Sequence, residues 1–259
     1  MLRAWRQRRR RTQLDLALDA DISARHLSFI ETGRAQPSRR MLLHLAEELE
    51  MPLRDRNALL VAAGFAPTFP ERRLDDSALA TARQAVDTML EAQKPLPAYA
   101  LDRHWNVVAS NRVLQELYEG VAPDLLAPPV NALRLSLHPR GVAPRVANLA
   151  EWRAHLLARL RRQMAIAPDP VLEDLWKEML SWSGGSDDPH ADAAAERAVL
   201  LPFKIHTSLG LLSFFSTTTV FGTPMDVTLS ELAIELFFPA DATTAEAARR
   251  AALPAAGGV

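Results

Sequence analysis

The chain has 259 residues, 48% of them hydrophobic and 24% charged, which is length for two separate cores and the make-up of an ordinary globular protein. It has no cysteine and no apolar run that could span a membrane; disulfides, zinc–cysteine sites and thiol chemistry are excluded, and a cytoplasmic protein without a membrane partner is expected. The net charge of −1 hides an asymmetry: residues 1–73 carry a surplus of five positive charges and the remainder a surplus of six negative ones, so that only the front of the chain suits a polyanionic partner.

In chain order, Leu2–Arg11 reads as a first helix, with Leu2 and Trp5 inward and six arginines around them. Charge alone leaves a solvated face or a phosphate-binding surface open. Thr12 opens a second helix, with Asp15 placed to complete a capping box and Leu14, Ala17 and Leu18 on one face. Ser23 is an N-cap for a third, whose inward residues are Leu27 and Ile30. Ser38–Glu50 and Arg54–Ala63 follow, the last closed by Gly64, so five helices are expected in about 65 residues.

The spacing of Gln13, Ala17, Ile22, Leu27 and Ile30, with Phe29-Ile30-Glu31-Thr32-Gly33-Arg34 and Pro37-Ser38 behind it, resembles the helix-turn-helix of the Cro/phage-repressor (XRE) family over residues 1–64. One departure is Asp21, where that family usually has Gly; Asp tolerates a left-handed turn better than most other residues. The resemblance implies a double-stranded DNA operator as partner, read by a homodimer. It places Ala24, Arg25 and Phe29 towards base edges, with Ser23 and Ser28 beside them, and Gln13 towards phosphate. Beside such a motif the arginines read as phosphate contacts, here Arg9, Arg10, Arg34 and Arg39.

Residues 66–73 are rich in turn formers and mark a linker, after which Ser77–Ala92 is helical with Leu79, Ala82, Val86, Met89 and Leu90 inward. Ala98–Leu101 and Trp105–Ala109 read as strands, and Ser110 and Asn111 cap a helix at Arg112–Tyr118. Leu149–Ala165 and Val171–Leu180 are helical, Ser183–Pro189 is a loop, and Val199–His206, Leu211–Thr219 and Leu232–Phe238 are strands. From Asp241 the chain reads as a short frayed helix.

Two strands, helices and three strands predict α+β architecture. The segments Trp105–Asn111, Asn131–Pro139 and Phe214–Asp226 resemble the MmyB-like ligand-binding domain of bacterial regulators across 95–240. That resemblance implies a PAS-like sensor with an apolar pocket for a fatty-acid-like effector and no other cofactor. Expected pocket walls are Trp105, Val107, Leu133, Leu137, Trp152, Leu156, Phe214 and Phe221, and expected anchors for a polar end are Asn131, Arg134, His138 and Arg153. Each of these is also readable as core or surface.

The expected organisation is an all-α helix-turn-helix domain at 1–66, a linker and connecting helix at 67–95, the sensor at 96–240 and a tail at 241–259. Seven histidines show no metal-ligand spacing, and no phosphate loop or nucleophile motif is present, so no enzyme is expected. The reading is a ligand-responsive, DNA-binding transcriptional regulator. The competing reading is an antitoxin-like DNA-binding protein that masks a protein partner through its C-terminal half.

Overall fold

The computed structural model describes residues 1–182 and 200–252, so the expected loop at 183–189 lies outside the described residues. The chain forms two compact units, one of residues 1–73 with 222–230, the other of residues 74–221 with the chain from Glu231 onward.

The first unit holds α1 (Leu2–Arg8), α2 (Gln13–Asp19), α3 (Ala24–Glu31), α4 (Arg39–Glu48) and α5 (Leu53–Ala62). The capping box at Thr12–Asp15 forms in both directions, and Ser23 and Ser38 cap α3 and α4 by accepting from His26 N and Met41 N. Asp21 takes the left-handed turn at φ 52°, the conformation its position demands. Leu16, Ala17, Leu27, Leu45, Leu49 and Leu60 make the core, each at most 1% exposed. Leu14 and Leu18, expected inward, are 59% and 68% exposed. Apolar residues wrap most of α2, and the face that packs is Leu16–Ala17–Ala20.

Residues 67–70, expected in the linker, belong to the head. The Asn57 side-chain amide donates to Phe69 O at 2.6 Å and its oxygen accepts from Thr68 N and Phe69 N. The same unit contains the one-turn helix Val227–Ser230, far on in sequence. Val227 is fully buried and its N–H donates to Pro70 O at 2.8 Å, while Arg72 Nη1 reaches Asp226 Oδ2 at 3.1 Å.

The second unit starts with α6 (Ala80–Ala92), in which Val86 and Leu90 are buried but Met89, expected inward, is 39% exposed. Then come β1 (Ala98–Leu101), β2 (Val107–Ser110), α7 (Arg112–Glu116), α8 (Ala132–Leu137), α9 (Leu149–Ile166), α10 (Pro170–Ser181), β3 (Phe203–Thr207), β4 (Gly210–Val220), β5 (Ala233–Pro239) and α11 (Ala242–Ala252). The strands form one antiparallel sheet in the order β2-β1-β5-β4-β3, giving the expected PAS-like α+β arrangement. Phe214 and Phe215 point to opposite faces: Phe214 is 2% exposed in the core, and Phe215 stacks on Phe238 at 5.4 Å.

Two features of this unit differ from expectation. Glu235 alternates with apolar residues along β5 yet is buried, held by a bidentate pair with Arg159 at 2.7 and 3.0 Å. The tail from 241 does not fray at its start. Thr244 Oγ1 accepts from Ser213 N at 2.8 Å and Ala247 packs into the core, so α11 is part of the domain.

Candidate DNA interface and effector pocket

In the head, the DNA-facing residues expected on α3 differ in exposure. Leu27 anchors the helix, leaving Arg25 exposed and Ala24, Ser28 and Phe29 half-buried. Arg25 lies over the Phe29 ring at 5.4 Å, so two expected base readers support each other through cation–π contact. Ser23 is occupied as the N-cap, and Ser28 supplies its carbonyl to Thr32 Oγ1 at 2.7 Å.

Glu31, in the last turn of α3, ties three elements together. It takes Arg6 of α1 in a fork at 2.6 and 2.9 Å and the Gln13 amide of α2 at 2.8 Å. Burial works to raise the pKa of Glu31. The hydrogen bonds from Arg6 and Gln13 and the charge on Arg6 outweigh it, and the net shift is downward. Gln13 is therefore positioned by the ion pair, at the start of α2 where the family's pattern puts it.

The arginine run divides. Arg9 donates to Leu49 O and Glu50 O at 2.9 Å each and Arg11 to Glu48 O at 3.2 Å, so both close the C-terminal carbonyls of α4. This withdraws Arg9 from the phosphate-facing set. Arg10 stays exposed, turned outward by a left-handed backbone at φ 54°. Arg34 is exposed, and Arg39 is exposed while donating to Thr68 Oγ1 at 2.7 Å.

In the second unit a small cavity of about 30 Å³ lies beside the sheet, lined mainly by apolar side chains that include Leu114, Leu135 and Phe237. Tyr99, Tyr118, Ser136 and Trp152 are also among its lining residues. Burial pushes both phenols above their ordinary range, with the Glu235 carboxylate adding to the effect at Tyr99, so both remain neutral donors. Trp152 is 5% exposed, and its buried indole N–H has no hydrogen-bond partner among the described residues. An unpaired buried donor is costly, and Trp152 is also one of the residues that line the cavity.

Of the expected walls, Trp152 lines this cavity, whereas Trp105, Leu133, Leu137 and Leu156 are packed within the core cluster and Val107 lies against it. Phe214 lines a second, neighbouring cleft, and Phe221 is half-buried away from both. None of the four expected anchors lines either space. Asn131 caps α8 and donates to His104 O at 2.9 Å. Arg134 forks onto Glu178, His138 packs edge-on to Trp182 at 4.6 Å, and Arg153 reaches Met179 O at 3.4 Å, all three towards α10 or its end. Arg134 is thereby paired with a carboxylate, and His138 Nδ1 accepts from Arg140 N at 2.9 Å. Sequence reasoning missed Ser136, Tyr99 and Tyr118, since hydroxyls on an apolar helix face or strand carry no motif.

The local geometry depends on two residues. Asn111, 1% exposed, caps α7 while donating to Leu90 O and Leu96 O and accepting from Ala98 N, which fixes α7 against β1. Gly141 turns the chain after α8; a Cβ there would sit 2.4 Å from Leu135 O, so no other residue fits without a backbone shift.

Comparison with known families and structures agrees with these two parts. Residues 82–251 match the family described as MmyB-like transcription regulator ligand binding domain, and residues 2–55 match a helix-turn-helix family. No curated protein matches the chain. A solved structure of an RNA-binding light-oxygen-voltage receptor is similar at 13% identity and a TM-score of 0.27. The alignment covers 93% of this chain and 57% of that one, and so loose a superposition carries no argument.

Proposed function

The chain belongs to the MmyB-like transcription regulators, with a helix-turn-helix head ahead of the family's ligand-binding domain, and from that premise we propose that a small, fatty-acid-like effector sets its affinity for a DNA operator. The observation that supports the effector reading is that Trp152, whose buried N–H has no partner among the described residues, lines an apolar cavity. As it stands that cavity has room for about one or two water molecules. An effector that reaches Trp152 must therefore displace side chains such as Tyr118 and Leu117, and that displacement is what would make binding felt elsewhere.

A route to the head is present in the covalent chain. Residues 222–230 connect β4 to β5 of the sensor sheet, and they are built into the DNA-binding unit through Val227, Asp226 and Thr228. A shift in either strand pulls on a segment that the head holds. Regulation requires the effector to favour one state over another, because equal binding to both shifts nothing.

On DNA the protein is a homodimer reading two half-sites, with Arg25 the principal base reader and Arg10, Arg34 and Arg39 on phosphates. It works in the cytoplasm, and its domains are those of a regulator rather than an enzyme. The direct test is mass spectrometry of small molecules released from the purified full-length protein. An apolar acid at about one per chain is expected, and release from an Ala132→Trp variant, which fills the cavity, should fall to background. Equal release from both proteins would remove the cavity from the account.

A further inference from the structure

On α3, Arg25 and Phe29 stand one turn apart, and the guanidinium lies over the phenyl ring at 5.4 Å. Arg25 is exposed and makes no hydrogen bond or ion pair among the described residues, so its five N–H donors are free. Several other arginines of the head are engaged: Arg6 with Glu31, Arg9 and Arg11 with carbonyls at the end of α4, and Arg39 with Thr68. The ring therefore orients the Arg25 guanidinium without using up any donor.

Phe29 is itself well rooted. It is half-buried, and its carbonyl accepts from Arg34 N at 2.8 Å and Ala35 N at 3.1 Å, which fixes the end of the helix that carries it. An exposed arginine loses much rotamer freedom when it is fixed on a ligand, and a ring that already orients it reduces that loss. In the major groove a guanidinium fork matches O6 and N7 of guanine, and an aromatic ring packs on the C5-methyl of thymine. Adjacent base pairs are about 3.4 Å apart along the duplex, so groups centred 5.4 Å apart reach neighbouring pairs.

We propose that Arg25 and Phe29 act as one reading unit, which recognises a guanine with a 5-methylpyrimidine on the adjacent base pair. Arg25 donates to O6 and N7 of the guanine, the methyl packs against the Phe29 ring, and Phe29 is in addition a positioning residue for Arg25. The proposal rests on the reading that α3 lies in the major groove, and it adds the base step that the head selects. The recognised group is the methyl, so 5-methylcytosine serves in place of thymine and cytosine does not.

The test is fluorescence anisotropy of the full-length protein on an operator selected from random duplex DNA, with single bases replaced in turn. Replacing guanine by 7-deazaguanine removes the N7 acceptor, and replacing thymine by uracil removes only the methyl. For wild type, one guanine per half-site should cost about tenfold or more in affinity when replaced, and uracil at its neighbour about threefold or more. At that neighbour 5-methylcytosine should be bound more tightly than cytosine. Arg25→Ala should abolish the guanine effect. Phe29→Leu, after its melting has been checked, should keep the uracil effect but shrink the guanine effect, and Phe29→Tyr should retain both. Should Phe29→Leu fail to fold, the base replacements on wild type, Arg25→Ala and Phe29→Tyr carry the test. An operator without an Arg25-dependent guanine, or with one that has no methyl-sensitive neighbour, would overturn the proposal. So would a Phe29→Leu protein that weakens on every operator alike, since that is what a merely structural ring would do. Each of these results leaves the DNA-binding regulator standing, because an operator has been selected. Failure to enrich any sequence from random DNA would instead remove the broader reading, and this proposal with it.

Discussion

Glu31 and the arginines around it carry the head's geometry. Removing the carboxylate leaves Arg6 buried and unpaired, so Glu31→Ala should destabilise the head by about 3 kcal/mol in chemical denaturation. The same pair sets a pH dependence. The folded-state pKa of Glu31 lies below its ordinary value of 4.5, so the stability it contributes is complete above that value and is lost as the pH falls through the lowered one. Acid unfolding of the full chain should show this loss, and Glu31→Gln should lack that part of the pH dependence. A wild-type profile matching that of Glu31→Gln would remove the ion pair from the account.

Neighbouring arginines should behave oppositely on DNA. Arg10→Ala and Arg34→Ala should each lower the slope of log affinity against log salt by about one unit with little change in stability. Arg9→Ala should instead lower stability, since its guanidinium closes α4. Arg25→Ala should cost ~1–3 kcal/mol at the operator and relax one base pair, whereas equal weakening on random DNA would reduce Arg25 to a phosphate contact. The positive charge of this segment was plain in the sequence. Its division was not, because whether Arg9 or Arg10 faces solvent depends on the left-handed turn at residue 10 and on where α4 ends.

At the scale of elements, caps and turns were the most legible part. Thr12, Ser23, Ser38 and Asn111 all cap the helices that their positions announce, because capping is a local interaction. Faces were less legible where apolar residues ring a short helix, as Leu14 and Leu18 show on α2. The embedding of residues 222–230 in the head was invisible, since no local pattern reports a partner some 150 residues away. That segment gives a sharp prediction. Asp226→Ala removes both the acceptor for Arg72 and the cap that accepts from Thr228 N, so the head should lose about 1–2 kcal/mol. It should also blunt the response of DNA affinity to effector. An undiminished response in a well-folded Asp226→Ala protein would rule this segment out as the connection.

The same distinction between near and far governed the pocket. The sheet's strands and the core residues were readable from alternation, but the anchors were not: Asn131, Arg134, His138 and Arg153 look like free polar groups in sequence and meet their partners only in the fold. Trp152 was legible as a wall. That its N–H has no partner among the described residues was not, because a missing acceptor leaves no mark in a sequence.

For the whole molecule, the account is that a sensor domain and a DNA-reading head are thermodynamically linked. A single head buries little DNA, so the full chain should bind as a dimer to half-sites about one helical turn apart; one chain per duplex on a single half-site would contradict this. Linkage of ~1–3 kcal/mol would change operator affinity by about five- to 150-fold. The most direct measurement is fluorescence anisotropy of an operator selected from random DNA, titrated with wild type and with Ala132→Trp, each with and without the acid found bound to the purified protein. The account predicts that wild-type affinity moves within that range when the acid is added, while Ala132→Trp binds the operator but does not respond. Operator affinity that stays unchanged while calorimetry shows the acid bound would contradict it.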